Sequence, residues 1–376
     1  MKTKKCILTE VILTEENDSK AHVLPSALGG RFKPKGILSN AANEILNDKF
    51  DLPLIRTLHP FMALLGGARD RGENTPTRMT DKYGQSYFVV FGKSLELTEP
   101  KFKEEKSDNG TTYQITARNM KEARTLLGIV KKNHPEFDIE DALQQAVVKE
   151  SYVDGMLHIN LNIGANVFFP AAFAMASIFA ASKQMKTHPE FIQYVQSFEA
   201  ETPLNEPENT RVVAVMPPDT FYWSPSQTWF KVTSEISHVL IYFADPQRNK
   251  AFFYVELFNL PGVAVVLPYD GSLTETHTYG VDVISGVEVE VEVDTQFLQA
   301  NCWQPTHSNG DTELFELSKS KIEKILSVVH ARSQNHAIGK IIEKELGPPD
   351  GRQFTKEDIG KISQKIAEFM VRQIVR

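Results

Sequence analysis

The rhythm of hydrophobic and polar positions changes along the chain, and each change predicts an element. Residues 5–13 (Lys-Cys-Ile-Leu-Thr-Glu-Val-Ile-Leu) read as a hairpin or as a strand with a turn. Gly29-Gly30 and the cluster 33–36 mark loops. Stretch 39–48 lacks Gly and Pro and carries Ala41, Ala42, Ile45 and Leu46, which predicts a short helix. The order over the first 50 residues is strand, strand, loop, helix. Further on, 83–97 and 111–116 look extended, and helices are expected at 120–132 and 168–183. Residues 199–210 are acidic and Pro-containing, which suits an exposed loop or a domain boundary. Beyond them come short β-rich runs at 211–216, 237–243, 251–258 and 263–267. Residues 287–294 alternate Val with acids, so one face is expected in a core and the acids in water, as on a protected edge strand. The chain closes with helices at 313–333 and 355–375, the second capped by Thr355 with Asp358.

These patterns predict an α+β protein with three consecutive parts. Residues 1–60 form a small module. Residues 61–200 form an α+β middle region, and 211–376 a β-rich region with C-terminal helices and an antiparallel sheet. A chain of 376 residues can bury a full core without staples. Its net charge of −7 provides no global basic field. Cys6 and Cys302 are the only cysteines, too few for a disulfide framework or a four-thiolate zinc site, so a reducing cytoplasmic setting is expected. The basic start at Met1-Lys2-Thr3-Lys4-Lys5 is not read as a signal peptide, because Glu10, Glu15, Glu16 and Asp18 interrupt any apolar stretch. The uncharged run 159–182 is read as a strand and turn followed by a buried core helix, so no membrane association is expected.

Candidate chemistry gathers in residues 20–54. His22 precedes Val23-Leu24-Pro25, then come Gly29-Gly30, then a helix bearing Asn43, then Asp51-Leu52-Pro53-Leu54. This string resembles the HNH (ββα-metal) endonucleases, in the branch with Glu-His-Val-Ile-Pro, Gly-Gly, Cys-x-x-Cys-Asn and Asp-x-Pro-Leu. The resemblance covers residues 5–55. It implies a hairpin and one helix around a divalent ion, Mg²⁺ or Mn²⁺, and hydrolysis of DNA phosphodiesters, as in restriction or phage defence. His22 matches the general base, a role suited to a near-neutral imidazole. Asn43 matches the metal-side position, and Asp51 belongs to the matching Asp-x-Pro-Leu. Arg31, Lys33 and Lys35 lie in the loop that would meet the DNA backbone, and Arg69 and Arg71 add a basic patch beyond it.

Two departures stand beside the likeness. Ala21 occupies the place of the family's metal-binding acid, for which Asp48 or Asp51 would have to substitute. Of the four zinc cysteines only Cys6 remains, with Thr9, Ser39 and Ala42 at the other positions, so no structural zinc is expected. The alternative is therefore a degenerate HNH fold that binds DNA or protein without cutting. Either reading is compatible with a homo-oligomer. Elsewhere, His238 is read as a strand residue rather than a ligand. The aromatic cluster of Phe221, Tyr222, Trp223, Trp229 and Phe230 is read as core packing or, functionally, as a stacking platform.

Overall fold

The computed structural model describes residues 4–107, 110–146, 156–161, 163–198, 215–269, 271, 275–308, 310–347 and 355–374. It is a mixed α+β protein with antiparallel sheets. Its contacts divide it into two compact units, each discontinuous in sequence: residues 1–74 with 161–332, and residues 75–160 with 333–376. The three-part reading had instead followed the chain consecutively. The expected strand at 211–216 lies outside the described residues up to 214.

The first unit is built on a six-stranded antiparallel sheet. Its strands run, in spatial order, Glu288–Val289, His277–Asp282, Ser237–Asp245, Lys250–Leu257, Val263–Pro268 and Thr220–Tyr222. Every residue of Ser237–Asp245 is buried, so this sheet is covered on both faces. The two-residue period of a strand then sorts its side chains. Leu240, Tyr242 and Ala244 enter one core, and Val239, Ile241 and Phe243 enter the other. The first core receives the helix Ala165–Ser182, whose Phe179 packs on Phe253 of the sheet. This helix is long and apolar enough to cross a membrane, yet most of it is buried in the protein, as expected of a core helix. The second core holds Trp223, Trp229, Phe252 and Tyr254 in edge-on contacts, so the aromatic cluster is packing.

The N-terminal segment docks on the first core, and it departs from a regular hairpin. Its pairing consists of isolated bridges, Lys5 to Ile12 and Asp18 to Ser39, with no strand ladder. The expected helix forms as Asn40–Leu46, with Ser39 as its cap. It continues through a wider turn, Asn47–Asp51, into a helix that the patterning had not identified, Leu52–Leu65. Pro53 sits in that helix's first turn, where its missing N–H costs nothing.

The acidic alternation at 287–294 resolves into two short strands, Glu288–Val289 and Val291–Val293, in different sheets. Its acids face water as expected, but Val287 is exposed too.

The second unit contains a three-stranded sheet (Thr77–Thr80, Ser86–Val89, Glu96–Leu97), the hairpin Lys101–Ser107 with Gly110–Thr116, and the helices Met120–Asn133 and Ile139–Gln144. Its C-terminal residues include Lys356–Ile374, where Thr355 and Asp358 form the anticipated reciprocal cap.

Candidate functional site

His22 sits between two core residues. Ala21 and Val23 are each 1% exposed, whereas the His22 side chain retains 19%. The imidazole Nε2 donates to Asp70 Oδ2 at 3.3 Å, and Lys33 Nζ donates to the same oxygen at 3.0 Å. Arg71 Nε approaches it at 3.9 Å. Burial lowers the His22 pKa below the usual histidine value, partly opposed by Asp70. The imidazole is therefore neutral at pH 7, with Nδ1 left as its basic atom. Asp70 is held ionised, first by the hydrogen bond from Lys33. A base oriented by a carboxylate and flanked by cations suits proton abstraction next to an anionic substrate.

The loop after His22 has the shape that its glycines permit. Gly29 takes a φ of +91° behind the tight turn Ser26–Leu28. A Cβ on Gly30 would lie 1.9 Å from the Leu24 carbonyl, so only glycine allows this return of the chain. His238 then pins the loop to the sheet. Its Nε2 donates to the Leu28 carbonyl at 2.9 Å, and its Nδ1 accepts from the Phe258 N–H at 3.2 Å. Both nitrogens are used and burial pushes its pKa down to about 3. His238 is thus a strand residue with a structural task, not a ligand.

The four positions corresponding to the family's zinc cysteines meet in space. The Thr9 N–H points at Cys6 Sγ (3.4 Å), Thr9 Oγ1 lies 3.5 Å from Ser39 Oγ, and Ser39 Oγ accepts from the Ala42 N–H at 3.3 Å. Burial pushes the Cys6 thiol up, but hydrogen bonds from Thr9, Ser39 and Leu8 outweigh it and leave its pKa lowered. Hydrogen bonding and packing join the two turns here.

Other expected site residues are placed differently. Asn43 lies half-buried on Asn40–Leu46, and Asp51 ends the wider turn. Among the described residues, no hydrogen bond or ion pair joins either to the His22 group. Burial raises the Asp51 carboxyl to about 7. Arg31 is exposed, with its backbone N–H donating to Tyr279 and its guanidinium beside Gly286, where a Cβ would crowd it at 2.5 Å. Lys35 is exposed. Arg69 staples its own loop by donating to the Glu73 carbonyl at 2.8 Å, while Arg71 is 81% exposed.

The donors around His22 do not fit Mg²⁺ or Mn²⁺. Such ions prefer several oxygen ligands. Here one carboxylate is available, and Lys33 already places an ammonium on it. Ala21 cannot easily be replaced by the missing acid, because its side chain belongs to the core. Asp70 is the residue that sequence reasoning missed. Its signal in the chain is an acid set between Arg69 and Arg71, inside the stretch expected to act as a basic patch. Comparison with family models, curated proteins and solved structures finds no match.

Proposed function

We propose that the first unit carries an HNH-type site that engages nucleic-acid phosphodiesters and hydrolyses DNA. His22 takes a proton from the attacking water, Asp70 positions the imidazole, and Lys33 with Arg71 neutralises the phosphate; the P–O bond to the departing sugar oxygen breaks and that oxygen is protonated from solvent. The observation that carries this reading is the His22–Asp70–Lys33 group, with a neutral imidazole beside the half-buried Lys33 and the exposed Arg71. The meeting of positions 6, 9, 39 and 42 supports the relationship of the scaffold independently.

The test is nicking of supercoiled DNA, and cutting of RNA, with Mg²⁺, with Mn²⁺ and with EDTA. His22→Ala is expected to reduce cleavage by about 10²-fold or more. Asp70→Asn removes the interaction that raises the His22 pKa, so the acid limb of the pH–rate profile moves to lower pH. Equal cutting by His22→Ala would refute the mechanism.

A second reading is favoured by Lys33 on Asp70 and by the buried Ala21: a platform that binds DNA without cutting. It is the better one if the wild type never cleaves yet binds DNA with a salt dependence that weakens in Lys33→Ala and Arg71→Ala. The scaffold is tested separately by Thr9→Cys/Ser39→Cys/Ala42→Cys. With Cys6 this variant should bind one Co²⁺ and show thiolate-to-cobalt charge-transfer absorption. No such band would mean that the four positions are not a converted zinc site.

A further inference from the structure

A second cluster in the first unit lies on the face of the sheet that holds the Trp223 core, and nothing in the His22 reading uses it. His307 is bridged to Tyr222 at the sheet edge, and Thr306 ties down the same turn by accepting from the Ser224 N–H. The imidazole is 11% exposed. Its Nε2 donates to the Ser224 carbonyl at 3.3 Å, which fixes the tautomer and leaves a lone pair on Nδ1. That Nδ1 is fully buried and has no hydrogen-bond partner. A buried acceptor without a partner costs about 1–3 kcal/mol and requires an explanation.

Two carboxylates stand where a ligand for this lone pair is needed. Asp311 Oδ2 is 3.9 Å from Nδ1, too far for a hydrogen bond. The other Asp311 oxygen, Oδ1, accepts from the Glu313 N–H at 2.8 Å and so orients the carboxylate at the start of the helix Thr312–Leu346. One ligand atom each from His307, Asp311 and Glu313 lies within 4.8 Å of the other two. Two ligands on one tetrahedral transition ion sit about 3.3 Å apart, so the exposed Glu313 side chain has to turn towards the other two to complete the set. Capping explains Oδ1 of Asp311. It explains neither Oδ2 nor the orphaned imidazole nitrogen.

We propose that His307, Asp311 and Glu313 form a binding site for a divalent transition-metal ion, with Zn²⁺ preferred over Mg²⁺. An imidazole in the set selects against the harder ion. The backbone hydrogen bonds to His307 and Asp311 are the outer-shell supports that such ligands use. Three protein ligands leave a coordination position open. His307 and Glu313 also line a cavity of about 720 Å³ together with Trp229, Tyr254, Glu256 and Lys321.

The experiment is calorimetric titration of the untagged, chelator-treated chain with Zn²⁺, alongside its thermal shift. One equivalent should bind and raise the melting temperature, and millimolar Mg²⁺ should not displace it. Asp311→Asn keeps a capping oxygen, and Glu313→Gln alters only an exposed side chain, so both should fold. Each should weaken Zn²⁺ by tenfold or more, and His307→Gln should do the same. Absence of stoichiometric binding, ready displacement by Mg²⁺, or wild-type affinity in the three variants would overturn the proposal. The outcome is separate from that at His22, because it is read without nuclease activity. The cysteine-based cobalt band is silent at a site with no thiolate.

Discussion

The two units of this protein are held together by different means. In the first, the central strand is buried on both faces, and His238, which enters the core, has both ring nitrogens hydrogen-bonded. In the second, the buried apolar residues among those described are Met79, Val90, Val130 and Leu143, while Tyr83 and Met156 stay largely exposed. Its elements rely on local devices. Asn119 and Asp138 cap helices, Arg118 pairs with Glu122, and Asp81 closes a turn by accepting from Tyr83 and Gln85. Non-local burial makes a position intolerant of change, whereas a local device can be removed at modest cost. The candidate chemistry lies in the intolerant unit, where a rigid scaffold can hold an imidazole in place.

The largest expected effect is acid destabilisation of the first unit through His238. Its folded pKa is about 3, against an ordinary value of 6.5. Below 6.5 the unfolded chain takes up a proton that the folded chain refuses. Its contribution is therefore complete above pH 6.5 and is lost as pH falls towards 3, amounting to about 4–5 kcal/mol. Chemical denaturation followed against pH checks this, since His238→Phe should flatten that part of the profile. The same variant should cost about 2–4 kcal/mol at pH 7, because the Leu28 carbonyl and the Phe258 N–H lose their partner. An unchanged pH profile in the variant would break the contrast between the units.

Next in size is Ala21→Glu. The HNH resemblance alone would make it a repair of the site. Its burial makes it a charge in an apolar core, with an expected loss of about 3 kcal/mol and no gain in cleavage. Met156→Glu in the second unit should stay within about 0.5 kcal/mol. Urea midpoints of the two variants compare the units directly. Between these two lies Thr355→Ala, expected to cost about 1 kcal/mol from the lost cap. Amide exchange should quicken in Lys356–Ile374 and leave the central strands of the first unit unchanged.

Local signals in the chain were sufficient for much of the fold. Ser39 and Thr355 marked helix starts, Gly29-Gly30 marked the turn, and the β-rich runs at 237–267 became the middle of the large sheet. The helix Leu52–Leu65 was not expected from the patterning; it carries two prolines, one in its first turn and one, Pro60, buried in its interior. Of the candidate site, His22 and Lys33 were legible from their motif. Asp70 was not, because it lies 48 residues from His22 and only folding brings the two within 3.3 Å.

The sequence by itself determined where turns, caps and strands form, since these depend on neighbours a few residues apart. Only the tertiary structure decided which way each side chain faces. It turned Ala21 into the core and left His22 beside its cations. It gathered positions 6, 9, 39 and 42, and it left the His307 nitrogen facing two carboxylates. Those outcomes depend on which distant surfaces exclude water together, and no spacing along the chain encodes that.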